Sequence, residues 1–214
     1  MSDYRFKKVA VLGAGVMGAQ IAAHLANANI PVVLFDLAAE GADKNAIVTK
    51  SLANLGKLSP TPLASKSIVQ AITPANYDEH LALLSECDLI IEAIAERIDW
   101  KKSLYAKILP FVGSQTILAS NTSGLSINSL SEVLDESLHH RFCGLHFFNP
   151  PRYMHLVELI PCVKTDADVL TSLESFLVSN LGKGVVYAKD TPNFIANRIG
   201  VFSILSTLHH TLQF

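Results

Sequence analysis

The chain has 214 residues, half of them hydrophobic and 17% charged, enough for one large core or for one domain and part of another. Its 17 basic and 19 acidic residues leave a net charge of -2. That balance gives no electrostatic case for a nucleic-acid partner, and no uncharged apolar run is long enough for a membrane span.

The first apolar run, residues 8–12, leads into Gly13-Ala14-Gly15-Val16-Met17-Gly18 and then into an amphipathic stretch over 19–26. This predicts strand, glycine turn and helix, ended by Asn29, a residue that tolerates the left-handed conformation. Each glycine has a mechanical task. Gly13 allows the tight turn, Gly15 lets a pyrophosphate approach the backbone, and Gly18 lets the helix pack close to the strand. Val16 and Met17 open the helix, whose unpaired N–H groups favour a diphosphate. A second strand over 31–36 ends in Asp36. Its carboxylate can accept ribose hydroxyls and repel a 2′-phosphate, which favours NAD over NADP; the alternative is that Asp36 caps the next helix. With the first strand starting this early, no signal or transit peptide is expected and a cytoplasmic location follows.

Residues 38–57 have helical character, broken by Leu58-Ser59-Pro60-Thr61-Pro62. A short strand is predicted over 67–72, ended by Thr73-Pro74, and a short helix over 78–85. The apolar run 87–94 reads as a strand buried on both faces, followed by a helix over 100–109 and a strand over 115–120. The alternation implies an α/β fold with a doubly wound, mostly parallel Rossmann-type sheet, in which ligands sit beyond the carboxyl ends of the strands. Asp36, Glu92, Asn121 and Ser123 should therefore line one crevice. Cys87, Cys143 and Cys162 show no C-x-x-C spacing, so neither a disulfide framework nor a metal site is implied.

Two apolar runs then flank an Asn-Pro-Pro turn between residues 141 and 160. The turn is too short for a helical crossover, so the second strand should return antiparallel, starting an antiparallel addition over 154–187. Reflecting the chain about Arg152 sets His146 opposite Glu158 on the same face. A carboxylate beside an imidazole fixes its tautomer, the arrangement of a general base with its orienting partner; the alternative is a core histidine satisfied by a chance carboxylate. A helix over 166–180 and a strand over 185–187 follow. From Asn193 onward Phe194, Ile195, Ile199, Phe202, Leu205 and Leu208 form an apolar stripe that needs cover. The expected organisation is a cofactor-binding domain over 1–189 and, over 190–214, the first helix of a helical domain whose remainder is absent, so that the chain alone should bind NAD but be weakly active or inactive.

With these residues in hand, the sequence resembles the L-3-hydroxyacyl-CoA dehydrogenase family. The resemblance rests on the glycine motif, Ser120-Asn121-Thr122-Ser123, His146-Phe147-Phe148-Asn149-Pro150, Leu156-Val157-Glu158 and the run from Asp190 to Arg198, and it covers nearly the whole chain. It implies NAD-dependent oxidation of L-3-hydroxyacyl-CoA to 3-oxoacyl-CoA in β-oxidation, with His146 taking the hydroxyl proton and Glu158 orienting it. It also implies that Ser123 hydrogen-bonds the substrate oxygen, that Asn149 and Asn197 are active-site asparagines and that Glu92 is an acid on the nicotinamide side. Ser51 and Lys57 lie where the family touches CoA, although both also read as surface-helix residues. Gly124 and the Pro150-Pro151-Arg152-Tyr153 turn depart from the common pattern and look more like the long bacterial enzymes with a fused hydratase domain. Expected partners are an acyl-CoA substrate and a second copy associating through the C-terminal helix. A related dehydrogenase of a small hydroxy acid and a non-catalytic NAD-binding protein are the competing readings.

Overall fold

Apolar runs, most of them with β-branched residues, become the strands of a single sheet in the computed structural model, which describes residues 6–213. The strands are β1 (Val9–Leu12), β2 (Val32–Asp36), β3 (Ile72–Asn76), β4 (Leu89–Glu92), β5 (Ile117–Ser120), β6 (Phe142–Phe147), β7 (Leu156–Pro161) and β8 (Gly184–Tyr187). Their order is β3-β2-β1-β4-β5-β6-β7-β8. The first six run parallel. β7 returns antiparallel to β6, and β8 is parallel to β7, so the reversed addition falls where the turn at Arg152 placed it. The chain passes from the β3 edge back to β4 beside β1, which makes the switch point where doubly wound sheets bind ligands.

Every residue of β1, β4 and β5 is buried because the sheet is covered on both faces. Val9 and Val11 join Ile21, Leu25, Leu34 and Phe176 in one core, whereas Ala10 and Leu12 join Phe35, Leu104, Tyr105 and Phe142 in the other. Alternate residues of one strand thus feed opposite cores, which is why these strands read as continuous apolar runs. The helices are α1 (Val16–Asn27), α2 (Ala46–Leu55), α3 (Ile98–Ile108), α4 (Ile127–Ser131), α5 (Ala167–Ser179) and α6 (Ala196–Thr211). Asn29 beyond α1 has a φ of 59°, the left-handed stop expected there.

Several boundaries differ from the sequence reading. The strand expected over 67–72 is a 3-10 turn, Lys66–Ala71, and β3 follows it through Pro74. Pro74 lacks an N–H, but β3 is an edge strand, where a missing donor on the open side costs little. The helix expected over 78–85 is a 3-10 turn, Leu81–Glu86, and α2 starts only at Ala46. Helix α4 was not expected, although Ser126 caps it by accepting from the Ser129 N–H. Helix α6 starts at Ala196 rather than Asn193, because Asn193 and Phe194 adopt φ of 61° and 47°, outside helical space. Ile199, Phe202, Leu205 and Leu208 on α6 are exposed. Phe214, the end of the expected helix, lies outside the described residues.

Candidate active site

The glycine turn between β1 and α1 is shaped by contacts that a side chain would destroy. A Cβ on Gly13, at φ +101°, would stand 2.8 Å from the Ala93 carbonyl oxygen, and one on Gly18 would overlap the Gly13 carbonyl. At Gly15 a Cβ would meet nothing within 4 Å, so the space over the start of α1 is open to a ligand. Val16, in the first turn of α1, is exposed there. Asp36 ends β2 with its Oδ2 accepting the Ala14 N–H at 2.6 Å and its Oδ1 the Leu37 N–H at 2.7 Å. It does not cap α2, whose preceding residue is Asn45. A cavity of about 550 Å³ opens beside it, lined by Gly13, Gly15, Asp36, Leu37, Tyr77, Ala93, Ile94, Trp100 and Lys107. Open backbone at Gly15, unpaired amides at a helix start and a carboxylate at the second strand end fit a dinucleotide such as NAD.

Ala93 and Ile94 also line a second cavity of about 300 Å³, with Met17, Glu96, Asn121, Ser123, His146, Phe147, Phe148, Asn149 and Asn197. The register pairs His146 on β6 with Glu158 on β7. His146 is 4% and Glu158 0% exposed, and Glu158 Oε2 lies 2.8 Å from His146 Nδ1. The other oxygen of Glu158 accepts the N–H groups of Ile195 and Ala196 at 3.0 and 2.9 Å. With Nδ1–H donating to a carboxylate, Nε2 is the ring nitrogen left to accept a proton. Phe148 and Phe194 pack on the ring at centroid distances of 4.3 and 5.8 Å. Asn121 anchors the crevice by accepting the Phe147 N–H at 2.9 Å, and Asn149 accepts from Gln20 on α1 at 3.2 Å.

Glu92 requires a correction. It is fully buried, with its oxygens occupied by Lys101 Nζ at 2.5 Å, the Ile94 N–H at 2.8 Å, the Tyr105 hydroxyl at 2.9 Å and the Ser120 hydroxyl at 2.7 Å. Facing the crevice instead is Glu96, four residues on, which accepts the Thr122 hydroxyl at 2.7 Å and the Ser123 hydroxyl at 2.9 Å. Burial pushes the Glu96 carboxyl up, but the Ser123 N–H, the two hydroxyls and Lys101 together hold it below the usual carboxylate range. The signal for the exchange lay in α3, where Lys101 and Tyr105 fall one turn apart and cover Glu92 together.

Ser51 on α2 donates to the Ala14 carbonyl at 2.6 Å and lines a cavity of about 330 Å³ between α1 and α2, with Gly15, Gln20, Lys50 and Asn54. Lys57 stands outside that cavity, exposed and bonded to Asn54 at 3.1 Å.

A sequence family described as 3-hydroxyacyl-CoA dehydrogenase, NAD binding domain, matches residues 8–191. The chain is 42% identical over 207 residues to a probable 3-hydroxyacyl-CoA dehydrogenase of Deinococcus radiodurans, covering 96% of this chain and 60% of that protein. It is 46% identical over 197 residues to a putative fatty acid oxidation complex trifunctional enzyme of Rickettsia felis, covering 92% of this chain and 27% of that protein. The crystal structure of 3-hydroxybutyryl-CoA dehydrogenase from Escherichia coli matches with a TM-score of 0.76 at 32% identity, over 91% of this chain and 40% of that one. The chain therefore spans 60%, 27% and 40% of the lengths of these three proteins.

Proposed function

Because the chain belongs to the family of 3-hydroxyacyl-CoA dehydrogenase NAD-binding domains, we propose that it carries out NAD-dependent oxidation of L-3-hydroxyacyl-CoA to 3-oxoacyl-CoA in fatty acid β-oxidation. The observation that carries this reading is the His146–Glu158 pair, 2.8 Å apart and buried, in a cavity that shares Ala93 and Ile94 with the cofactor cleft. His146 Nε2 takes the proton of the 3-hydroxyl as the C–H bond at C3 breaks. Glu158 keeps Nδ1 protonated and stabilises the imidazolium that forms; a base positioned in this way is worth about 10²–10⁴ in rate. Ser123 and Asn197 hydrogen-bond the oxygen at C3, Asn149 orients the acyl group, and Phe148 and Phe194, packed on the ring, keep water from it. Bound NAD⁺ supplies the acceptor for the C3 hydride.

Gly13, Gly15, Val16, Met17, Gly18 and Asp36 hold the dinucleotide, Asn121 sets the crevice wall, and Glu96 takes the nicotinamide-side position expected of Glu92. The CoA moiety follows the cavity between α1 and α2 past Ser51. Lys57, turned to Asn54 and outside that cavity, can reach it only by a rotamer change. In the same reading residues 1–189 form the NAD-binding domain and 190–214 open a helical one. The exposed apolar side chains of α6 are covered by helical partners or a second copy of the chain. No helix among the described residues is long and apolar enough to cross a membrane, and the site of action is cytoplasmic.

The test is NADH oxidation at 340 nm by a full-length version of the protein, with acetoacetyl-CoA against free acetoacetate. The account expects turnover of the CoA ester and almost none of the free acid. Equal turnover of both would identify a small hydroxy-acid dehydrogenase, and NADH binding without turnover of either a non-catalytic cofactor-binding protein.

A further inference from the structure

We propose that Asp190 is a positioning residue for His146, acting at a distance through the start of α6 and Glu158. The inference rests on the reading of His146 as the base.

Asp190 lies in the connection between β8 and α6. Its Oδ2 accepts the Ser126 hydroxyl at 2.7 Å, the Asn128 N–H at 2.9 Å and the Asn128 side-chain amide at 2.7 Å, while Oδ1 accepts the Ile127 N–H at 3.0 Å. Burial pushes this carboxyl up, yet those donors hold it below the ordinary aspartate range, so it stays an anion clamped to the first turn of α4. The connection then tightens, with the Phe194 N–H donating to the Thr191 carbonyl at 2.9 Å. Phe194 is 2% exposed and packs on the His146 ring. The next two amides, of Ile195 and Ala196, both donate to Glu158 Oε1.

Glu158 is therefore shared, one oxygen held by His146 Nδ1 and the other by the start of α6. A carboxylate gripped at both oxygens cannot rotate about its last torsion. Released at one, it swings and the imidazole loses its fixed direction, and small misplacements of a reacting group are costly in rate. Asp190 moors the segment that grips Oε1.

The test uses the full chain with Asp190→Ala, Asp190→Glu and the milder Ser126→Ala, which keeps the carboxylate but removes one of its donors together with the cap of α4. Three quantities are read: the downfield proton resonance of His146 Nδ1–H, assigned by its absence in His146→Gln, the kcat for acetoacetyl-CoA reduction, and the Kd for NADH. Asp190→Ala should broaden or abolish the resonance and lower kcat by about tenfold or more with NADH affinity unchanged. Asp190→Glu should restore both in part, and Ser126→Ala should move both the same way by less. If Asp190→Ala does not fold, Ser126→Ala decides. An unchanged resonance and kcat in the folded variants, with His146→Gln inactive, would overturn the coupling and leave the base in place. Loss of NADH affinity in step with kcat would also overturn it, since that is general loosening of the domain. Normal turnover by His146→Gln would remove the base instead, and the resonance alone would then judge the coupling.

Discussion

Replacing His24 by Phe should stabilise the protein in acid far more than at neutral pH. Both ring nitrogens of His24 are buried on α1 without a hydrogen-bond partner among the described residues. Burial, and then the charges of Lys183 and Arg152, push the imidazole down from 6.5 to about 4, with the backbone of Leu181 offsetting a part. The Lys183 ammonium, itself 4% exposed, is held in place by the carbonyls of Pro151 and Met154. A histidine lowered in the folded state takes its proton more readily once unfolded. Stability is therefore intact above 6.5, falls as pH drops below it, and levels off near 4. Those two values give a penalty of about 0.1 kcal/mol at pH 7.5 and about 2 kcal/mol at pH 5, approaching about 3 kcal/mol at lower pH. Phenylalanine carries no such penalty, and the other titrating groups are common to both proteins. Urea unfolding followed by circular dichroism at the two pH values measures the difference. The gain from His24→Phe should grow by about 2 kcal/mol between pH 7.5 and pH 5. An equal gain at both would mean that the imidazole is solvated in the fold and the packing described here is wrong.

Asp36 should make NADH bind more tightly than NADPH by about tenfold or more, the scale of one like-charge contact, and fluorescence titration of both cofactors measures it; equal affinities would remove Asp36 from the ribose site. Gly18→Ala should destabilise by about 1–3 kcal/mol through overlap with the Gly13 carbonyl. Gly200→Ala on α6, where a Cβ meets nothing within 4 Å, should instead stabilise by about 1 kcal/mol, so the two urea midpoints should move in opposite directions. Glu96→Gln should lower stability at neutral pH. Because the folded carboxyl sits below its ordinary value, that contribution is present above the unfolded value of about 4.3 and fades as pH falls through the lower folded one. The melting temperatures of wild type and Glu96→Gln should therefore differ at neutral pH and draw together near pH 3.5.

The central strands could be read from the sequence because burial on both faces keeps their interiors apolar and leaves a polar residue only at the last position, as in Leu89–Glu92 and Ile117–Ser120. The His146–Glu158 pair was legible because a short turn makes the antiparallel register a matter of counting. Local chemistry misled where long-range position decided. Pro74 reads as a strand end, yet an edge strand tolerates it. Glu92 ends β4 and Glu96 lies four residues on, in the loop before α3. Only the placement of α3, which brings Lys101 and Tyr105 over Glu92, turns one inward and leaves the other at the crevice. The role of Asp190 was hidden for the same reason, since its partners are 62 to 64 residues away in sequence.

The central claim is that His146 moves the proton while Glu158 holds it in place. The direct measurement is single-turnover oxidation of NADH by acetoacetyl-CoA in a full-length version of the protein and in its His146→Gln variant, with NADH affinity determined on the same samples. The account predicts a rate lower by about a hundredfold or more in the variant, with NADH affinity unchanged. A rate within a few-fold of wild type would show that the proton leaves by another route and that the buried pair is structural.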